Sequence, residues 1–466
     1  MLDSRQRRRE RQTRRRLAAL LVVLLVTLPT AWLIWRGTDR PTGSFRAIPP
    51  LLGQPGSVEV VLEGGRAGIA SWQAYLRDAA GRRLVLAEER LPAGGWFGEG
   101  VRRQVATIPI DPAGLDLAEG PAELVLQAEG HAPLSRLGEA QPVASASFVV
   151  DRTAPEVRVL GGPHRIRQGG TGLVVYDTGT DAVASGVMVG DIVFPGENVD
   201  FGKEGRHAAL YTIPWNAAPG VAVRLFAEDA AGNRRIREVP LRVRPRAARA
   251  EEIRVSDSFI RRKIYPLLEA NNQPIPDSTE EAYLAVNRDM RAASETRLRE
   301  LLADTAGPPR LLEGLRQQRG TKVGSRFAEH RTYTHKGKAI DEQTHLGYDL
   351  ASVRQAPIET AGPGRVHWAG DLGIYGGAVL VDHGLGLVTL YAHLSSIEVA
   401  AGDEVGPGQI IGRSGETGLA GGDHLHFSTT LRGIHVDPIE WWDTGWVKRE
   451  IASPLSAQGA LRNGGS

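Results

Sequence analysis

Leu17 to Trp35, "LAALLVVLLVTLPTAWLIW", are nineteen consecutive residues without a charge. As a helix, such a run crosses roughly 30 Å of hydrocarbon, and few other environments accept it. Eight arginines precede it (Arg5, Arg7, Arg8, Arg9, Arg11, Arg14, Arg15 and Arg16), opposed only by Asp3 and Glu10. That tail carries a formal +6 while the whole chain carries +2, so the remainder stands at −4. Flanking cations keep the N-terminal side of a span in the cytoplasm, and Trp32 and Trp35 suit the far interface. The expectation is a basic cytoplasmic tail over 1–16, a transmembrane helix over 17–35 and an exported body. A cleaved signal peptide competes, but the run is long and no Ala-x-Ala site follows it. Pro29 is where a kink or a weak processing region is expected. The acidic body carries no nucleic-acid footprint.

Cysteine is absent from all 466 residues, which excludes disulfides, cysteine catalysis and thiolate metal sites. A metal site would have to rest on His, Asp and Glu. With 41% hydrophobic and 24% charged residues, the body has the composition of globular domains. Its length implies about three of them.

After a Pro/Gly-rich spacer over 41–56, short β-like runs follow: "SVEVVLEGG", "AELVLQAEG" and "ASFVVD". "DRTAPEVRVL" reads as a junction, with Pro155 forcing an extended approach. "TGLVVYDT" and "VAVRLFAEDAAGNRR" continue the pattern, and Val221, Val223 and Leu225 alternate at strand period. Two immunoglobulin-like β-sandwich modules are expected, over 45–150 and 154–245. One larger irregular β domain is the alternative. Residues 250–319 read as a helical linker. There Ser278 and Glu281 have capping-box spacing, and Gly307 with two prolines marks a stop. This linker would hold the last domain in place or lie over its groove.

Residues 321–446 are β-rich and glycine-dense, and hold nine of the twelve histidines. Three pieces stand out: "HLGYD" with His345 and Asp349, "DHGLGLVTLYAHLS" with His393, and "HLHF" with His424 and His426. Residues two apart on a strand share a face, so His424 and His426 point into one groove. Three His or carboxylate ligands with an open fourth position make a catalytic zinc site. Further unligated histidines there move protons or stabilise developing charge. These five side chains supply three ligands and two helpers, and spacing alone does not say which is which.

The three pieces, in this order, resemble the lysostaphin-type (LytM-like) zinc metallopeptidases, whose pattern is H-x-G-x-D, then Y-A-H-L, then H-x-H. The resemblance covers about 323–442 and includes "GDEVGPGQIIGRSGETG" before the last motif. It implies His345, Asp349 and His426 as ligands of one zinc ion per catalytic domain. It implies His393 and His424 as unligated catalytic histidines, with the choice of base left open. It also implies an antiparallel β domain with an open groove. The whole is then a mainly β multidomain protein: anchor, two modules, helical linker, peptidase domain and a tail over 447–466. The implied function is hydrolysis of peptide bonds in peptidoglycan stem or cross-bridge peptides by metal-activated water. The protein would sit in a bacterial inner membrane with its body in the periplasm or outside the cell. The β modules would be spacers or docking sites for envelope proteins. The alternative is a non-hydrolytic regulator of other wall hydrolases, against which the full set of five residues argues. Gly377 departs from the family, many members carrying asparagine there, and the charged "RTYTHKGKAIDEQ" segment is long enough to shape the groove rim.

Among the other histidines, His383 in "DHGLG" reads as structural, and His367 and His435 as ordinary strand residues. His330 and His335 are candidates to line the groove, as are Arg326 and Tyr375 to meet substrate. "EWW" at 440–442 reads as packing.

Overall fold

The computed structural model describes residues 3–93, 100–131, 142–163, 165–199 and 203–459. The chain divides into two compact units, one of residues 1–154 with 230–233, the other of the rest.

In the first unit a single helix, Asp3–Gly37, runs through Pro29 without interruption. Its stretch Arg8–Trp32 is long and apolar enough to cross a membrane, by length and composition. Beyond it lie two β-sheets with one apolar core. The smaller orders Thr42–Arg46, Gly56–Glu63 and Arg103–Ile110; the larger orders Leu51–Leu52, Pro142–Val150, Gly120–Gly130, Ile69–Arg77 and Arg83–Arg90. Val58, Val60 and Leu62 alternate inward from the first sheet to meet Trp72, Leu76, Leu124 and Leu126 of the second, as strand periodicity requires.

The second unit begins with further sheets. Arg158–Gly161, Thr171–Asp177 and Arg206–Thr212 form one; Ile192–Pro195, Ala182–Val189, Val223–Asp229 and Arg234–Glu238 form another. Their core continues into that of the C-terminal domain, whose main sheet is antiparallel throughout. Its order is Lys322–Ser325, Tyr348–Ala351, Leu425–Leu431, Leu387–Leu394, Gly377–Asp382, Gly364–Asp371 and Glu404–Val405, with Ile434–Val436 paired to the third of these.

The segment read as helical from 250 opens instead with a strand, Arg249–Val255, parallel to Glu329–His335. β-branched Ile253 and Val255 face inward here, and pairing satisfies backbone groups that a helix would otherwise have to satisfy. Helical residues follow at 257–270 and 279–302. Ser278 caps the second stretch, its hydroxyl accepting from the Glu281 N–H at 3.0 Å. Ile260, Ile264, Leu268, Tyr283, Val286, Leu298 and Leu302 form a common core with Ala378, Leu380, Val388, Leu390 and Ala392 of the main sheet. The helices therefore lie on one face of that sheet. Its other face, carrying Tyr348, Leu350, Tyr391, Leu425 and Phe427, belongs to the core shared with the preceding sheets. "EWW" closes that core: Trp441 is buried, and Trp442 packs on Tyr348 and Phe427.

Candidate metal centre

Strand alternation selects the face of each site residue. Leu425 and Phe427 turn to the shared core, so His424 and His426 turn to the face that carries the helices. Asp349 lies directly opposite His426 in register, and Ala392 opposes His426 on the other side. His393 should then point the wrong way. Its backbone is left-handed instead (φ 64°), where the pairing register with Gly377–Asp382 shifts. Such an irregularity re-aims a side chain, and it brings the His393 ring to 4.9 Å from that of His424.

Three donor atoms converge. His345 Nε2 lies 3.0 Å from Asp349 Oδ1 and 3.1 Å from His426 Nδ1, and these last two are 2.9 Å apart. A tetrahedral ion with bonds of about 2.0–2.1 Å holds its ligand atoms about 3.3–3.4 Å apart. The triangle fits such an ion with a few tenths of an ångström of opening. The tautomers fit too. His345 Nδ1 donates to the Arg326 carbonyl at 3.0 Å, which leaves the Nε2 lone pair for the cluster. His426 enters through Nδ1, and its buried Nε2 has no hydrogen-bond partner among the described residues. That ring lies against Gly347, where a Cβ would sit 2.6 Å from His426 Cε1. This is the physical reason for glycine within "HLGYD".

His393 and His424 stand beside the triangle. Each donates Nδ1–H to a backbone carbonyl, His393 to Thr417 at 2.9 Å and His424 to Gly422 at 2.8 Å. Each Nε2 is thereby left as the acceptor nitrogen, and that of His424 is 3.4 Å from Asp349 Oδ1. Burial pushes the Asp349 carboxyl up, but the neighbouring His345, with His424 and His426 also close against it, holds it well below the usual range. Burial drives His393 well below an ordinary histidine and His426 down to about 4. His424 is also disfavoured by burial, yet Asp349 raises it.

All five residues line a cavity of about 440 Å³, which is also lined by Ile253 of the strand Arg249–Val255 and by Phe259 and Tyr283 of the helical residues that follow. Arg331 lies at its edge and donates to Asp349 Oδ2 at 3.1 Å. Of the lesser candidates, Arg326 contributes its carbonyl to His345. Tyr375 is buried, its ring 5.6 Å from His426 and its hydroxyl bonded to Glu295. His435 joins the same network, 3.1 Å from Glu295. His335 pairs with Asp257, His330 with Glu342 and His367 with the Leu301 carbonyl, all outside the cluster. His383 is buried between the Pro363 carbonyl and Thr389, and burial pushes it down to about 4. At Gly377 a Cβ would lie 2.7 Å from the Leu394 carbonyl, so no side chain enters without a shift. Sequence reading reached Arg331 only as the first residue of the charged segment expected at the groove rim, without singling it out, and missed Glu251, which is ion-paired to it. No motif marks either, and they meet only through strand pairing.

Residues 343–438 match the model of peptidase family M23. The chain is similar to the DD-carboxypeptidase/endopeptidase Mpg of Neisseria meningitidis serogroup B, 39% identical over 95 residues, 20% of this chain and 22% of that protein. It is similar to the peptidoglycan DD-endopeptidase ShyA of Vibrio cholerae, 38% identical over 96 residues, 21% of this chain and 22% of that one. The chain thus spans little more than a fifth of the length of these curated relatives. Among solved structures, a putative peptidase M23 from Pseudomonas aeruginosa is 23% identical with a TM-score of 0.38, covering 59% of this chain and 94% of that one. The C-terminal part of the chain, with all five converging residues inside the matched 343–438, is a lysostaphin-type peptidase family M23 domain.

Proposed function

We propose that this protein is a membrane-anchored zinc metalloendopeptidase that hydrolyses peptide bonds in the stem or cross-bridge peptides of peptidoglycan. The observation that carries this is the triangle of His345 Nε2, Asp349 Oδ1 and His426 Nδ1 beside two histidines whose Nε2 atoms are free to accept. Relatives named as DD-endopeptidases support the substrate class.

His345, Asp349 and His426 would hold the metal. Bound there, zinc supplies Lewis acidity toward a peptide carbonyl and toward water. His393 and His424, each fixed by its Nδ1–H, divide the proton work: accepting a proton from water at Nε2, returning one to the departing amine, and stabilising the charge that develops on the carbonyl oxygen. The wall of Ile253, Phe259 and Tyr283 excludes bulk water from one side of the cavity and so strengthens these interactions. Residues 17–35 anchor the protein in the inner membrane with the arginine tail inside and the body in the periplasm. The two pairs of sheets before the helical segment act as immunoglobulin-like spacers.

The test is mass spectrometry of purified peptidoglycan incubated with the detergent-solubilised full chain, with His345→Ala as control. New peptide termini are expected, lost in the variant and after chelation and restored by zinc. Release of nothing by either protein would instead favour the non-hydrolytic regulator.

A further inference from the structure

We infer that Arg331 and Glu251 are positioning residues of the metal centre, so that a strand from the supposed linker completes the site. The inference rests on the metal reading above. Every contact of Asp349 with the histidines falls on one oxygen: Oδ1 meets His345 at 3.0 Å, His426 at 2.9 Å and His424 at 3.4 Å. Oδ2 is held by Arg331 at 3.1 Å. A carboxylate gripped in this way cannot rotate to exchange its oxygens or to chelate through both, so Asp349 offers the ion one oxygen in one place.

A guanidinium so close to a dication site also has a cost, because its charge repels the ion and draws density from the ligand. Glu251 offsets it. Its Oε2 lies 3.3 Å from Arg331 Nε, an ion pair rather than an aligned hydrogen bond, since that Nε lacks a hydrogen-bond partner among the described residues. Asp349, Arg331 and Glu251 together carry one net negative charge, suited to a cation. The pairing is built into the backbone. Glu251 and Arg331 are direct neighbours in the parallel register of Arg249–Val255 on Glu329–His335. The Arg331 side chain is only 15% exposed, so the sheet and Asp349 determine its orientation.

The experiment uses the full chain in detergent, stripped of metal. Zinc affinity is measured by competition with a chromogenic chelator, and the visible spectrum of the cobalt-loaded protein reports ligand geometry. Arg331→Met is expected to weaken zinc binding by about 10–100-fold and to shift the cobalt spectrum, as loss of an outer partner does. Arg331→Lys should fall between, because an ammonium can hold one carboxylate but lacks the fork that spans two. Glu251→Gln, at a half-exposed position, should weaken binding several-fold at an unchanged unfolding midpoint of the metal-free protein. Affinities within about twofold of wild type and an unshifted spectrum would overturn the inference. If Arg331→Met fails to fold, the Glu251→Gln result decides alone. Wild-type protein that binds no zinc would overturn the metal reading itself, an outcome distinct from variants that bind as wild type does.

Discussion

At the scale of the residue, two positions carry much of the site's construction. His393 alone among the five has a left-handed backbone, which costs a non-glycine residue about 1–2 kcal/mol and persists where the surroundings enforce it. Leu394 beyond it belongs to the shared core and Thr417 holds its ring. His393→Ala is expected to keep zinc affinity and lose roughly 10²–10⁴-fold in kcat, measured by peptide-release rates on metal-loaded protein. Gly347 works by having no side chain. In Gly347→Ala the new Cβ would press on the His426 ring at 2.6 Å. Zinc affinity should fall about tenfold or more, read by chelator competition. That His424 and His426 share a face was legible from spacing, because side chains two apart on a strand do so whatever surrounds them; His345, Asp349 and His393 were legible through the order of their motifs. The bulge that re-aims His393 was not legible, since it depends on the register of two neighbouring strands.

At the scale of the element, the segment after residue 250 departs most from a sequence reading. The Ser278–Glu281 capping spacing lies at the start of the helical residues 279–302, but Arg249–Val255 is a strand. Its charged, exposed residues mask a pattern in which only Ile253 and Val255 turn inward. The helices cover a face of the catalytic sheet, so they are part of the domain's core. Ile264→Ala, at a fully buried position, is expected to cost about 2–5 kcal/mol, measured as a lower denaturant midpoint. A fragment starting at 321 would keep all five site residues yet expose Leu380, Val388 and Leu390. It should be markedly less soluble than one starting at 246.

At the scale of the folded unit, a buried charge cluster joins the sheets before residue 245 to the C-terminal domain. Asp437 binds Arg246 at 2.6 Å and Arg167 at 3.4 Å, while Glu440 accepts from the Thr171 N–H at 2.9 Å. Burial pushes Glu440 up to about 7, the Thr171 hydrogen bond and Arg167 opposing it and Asp437 adding to it. The folded state therefore keeps this proton up to about pH 7, whereas the unfolded chain releases it near 4.5. This contribution to stability is complete below pH 4.5 and is lost as pH rises to 7, amounting to about 3 kcal/mol at most. In Glu440→Gln the slope of stability against pH over that window should flatten, as followed by unfolding midpoints at fixed salt.

Sequence alone determined the apolar helix and the β character of the body, which depend on local composition or on a two-residue period that the chain carries whatever its neighbours. The residues of the site were named by the resemblance of three motifs in order. Tertiary structure decided what surrounds them. It set Arg331 on the second oxygen of Asp349, placed Glu251 beside Arg331 from eighty residues away, and laid the helices on the catalytic face. These relations come from strand pairing and from apolar surfaces that must be covered. Both are properties of the folded sheet, and no short stretch of sequence contains them.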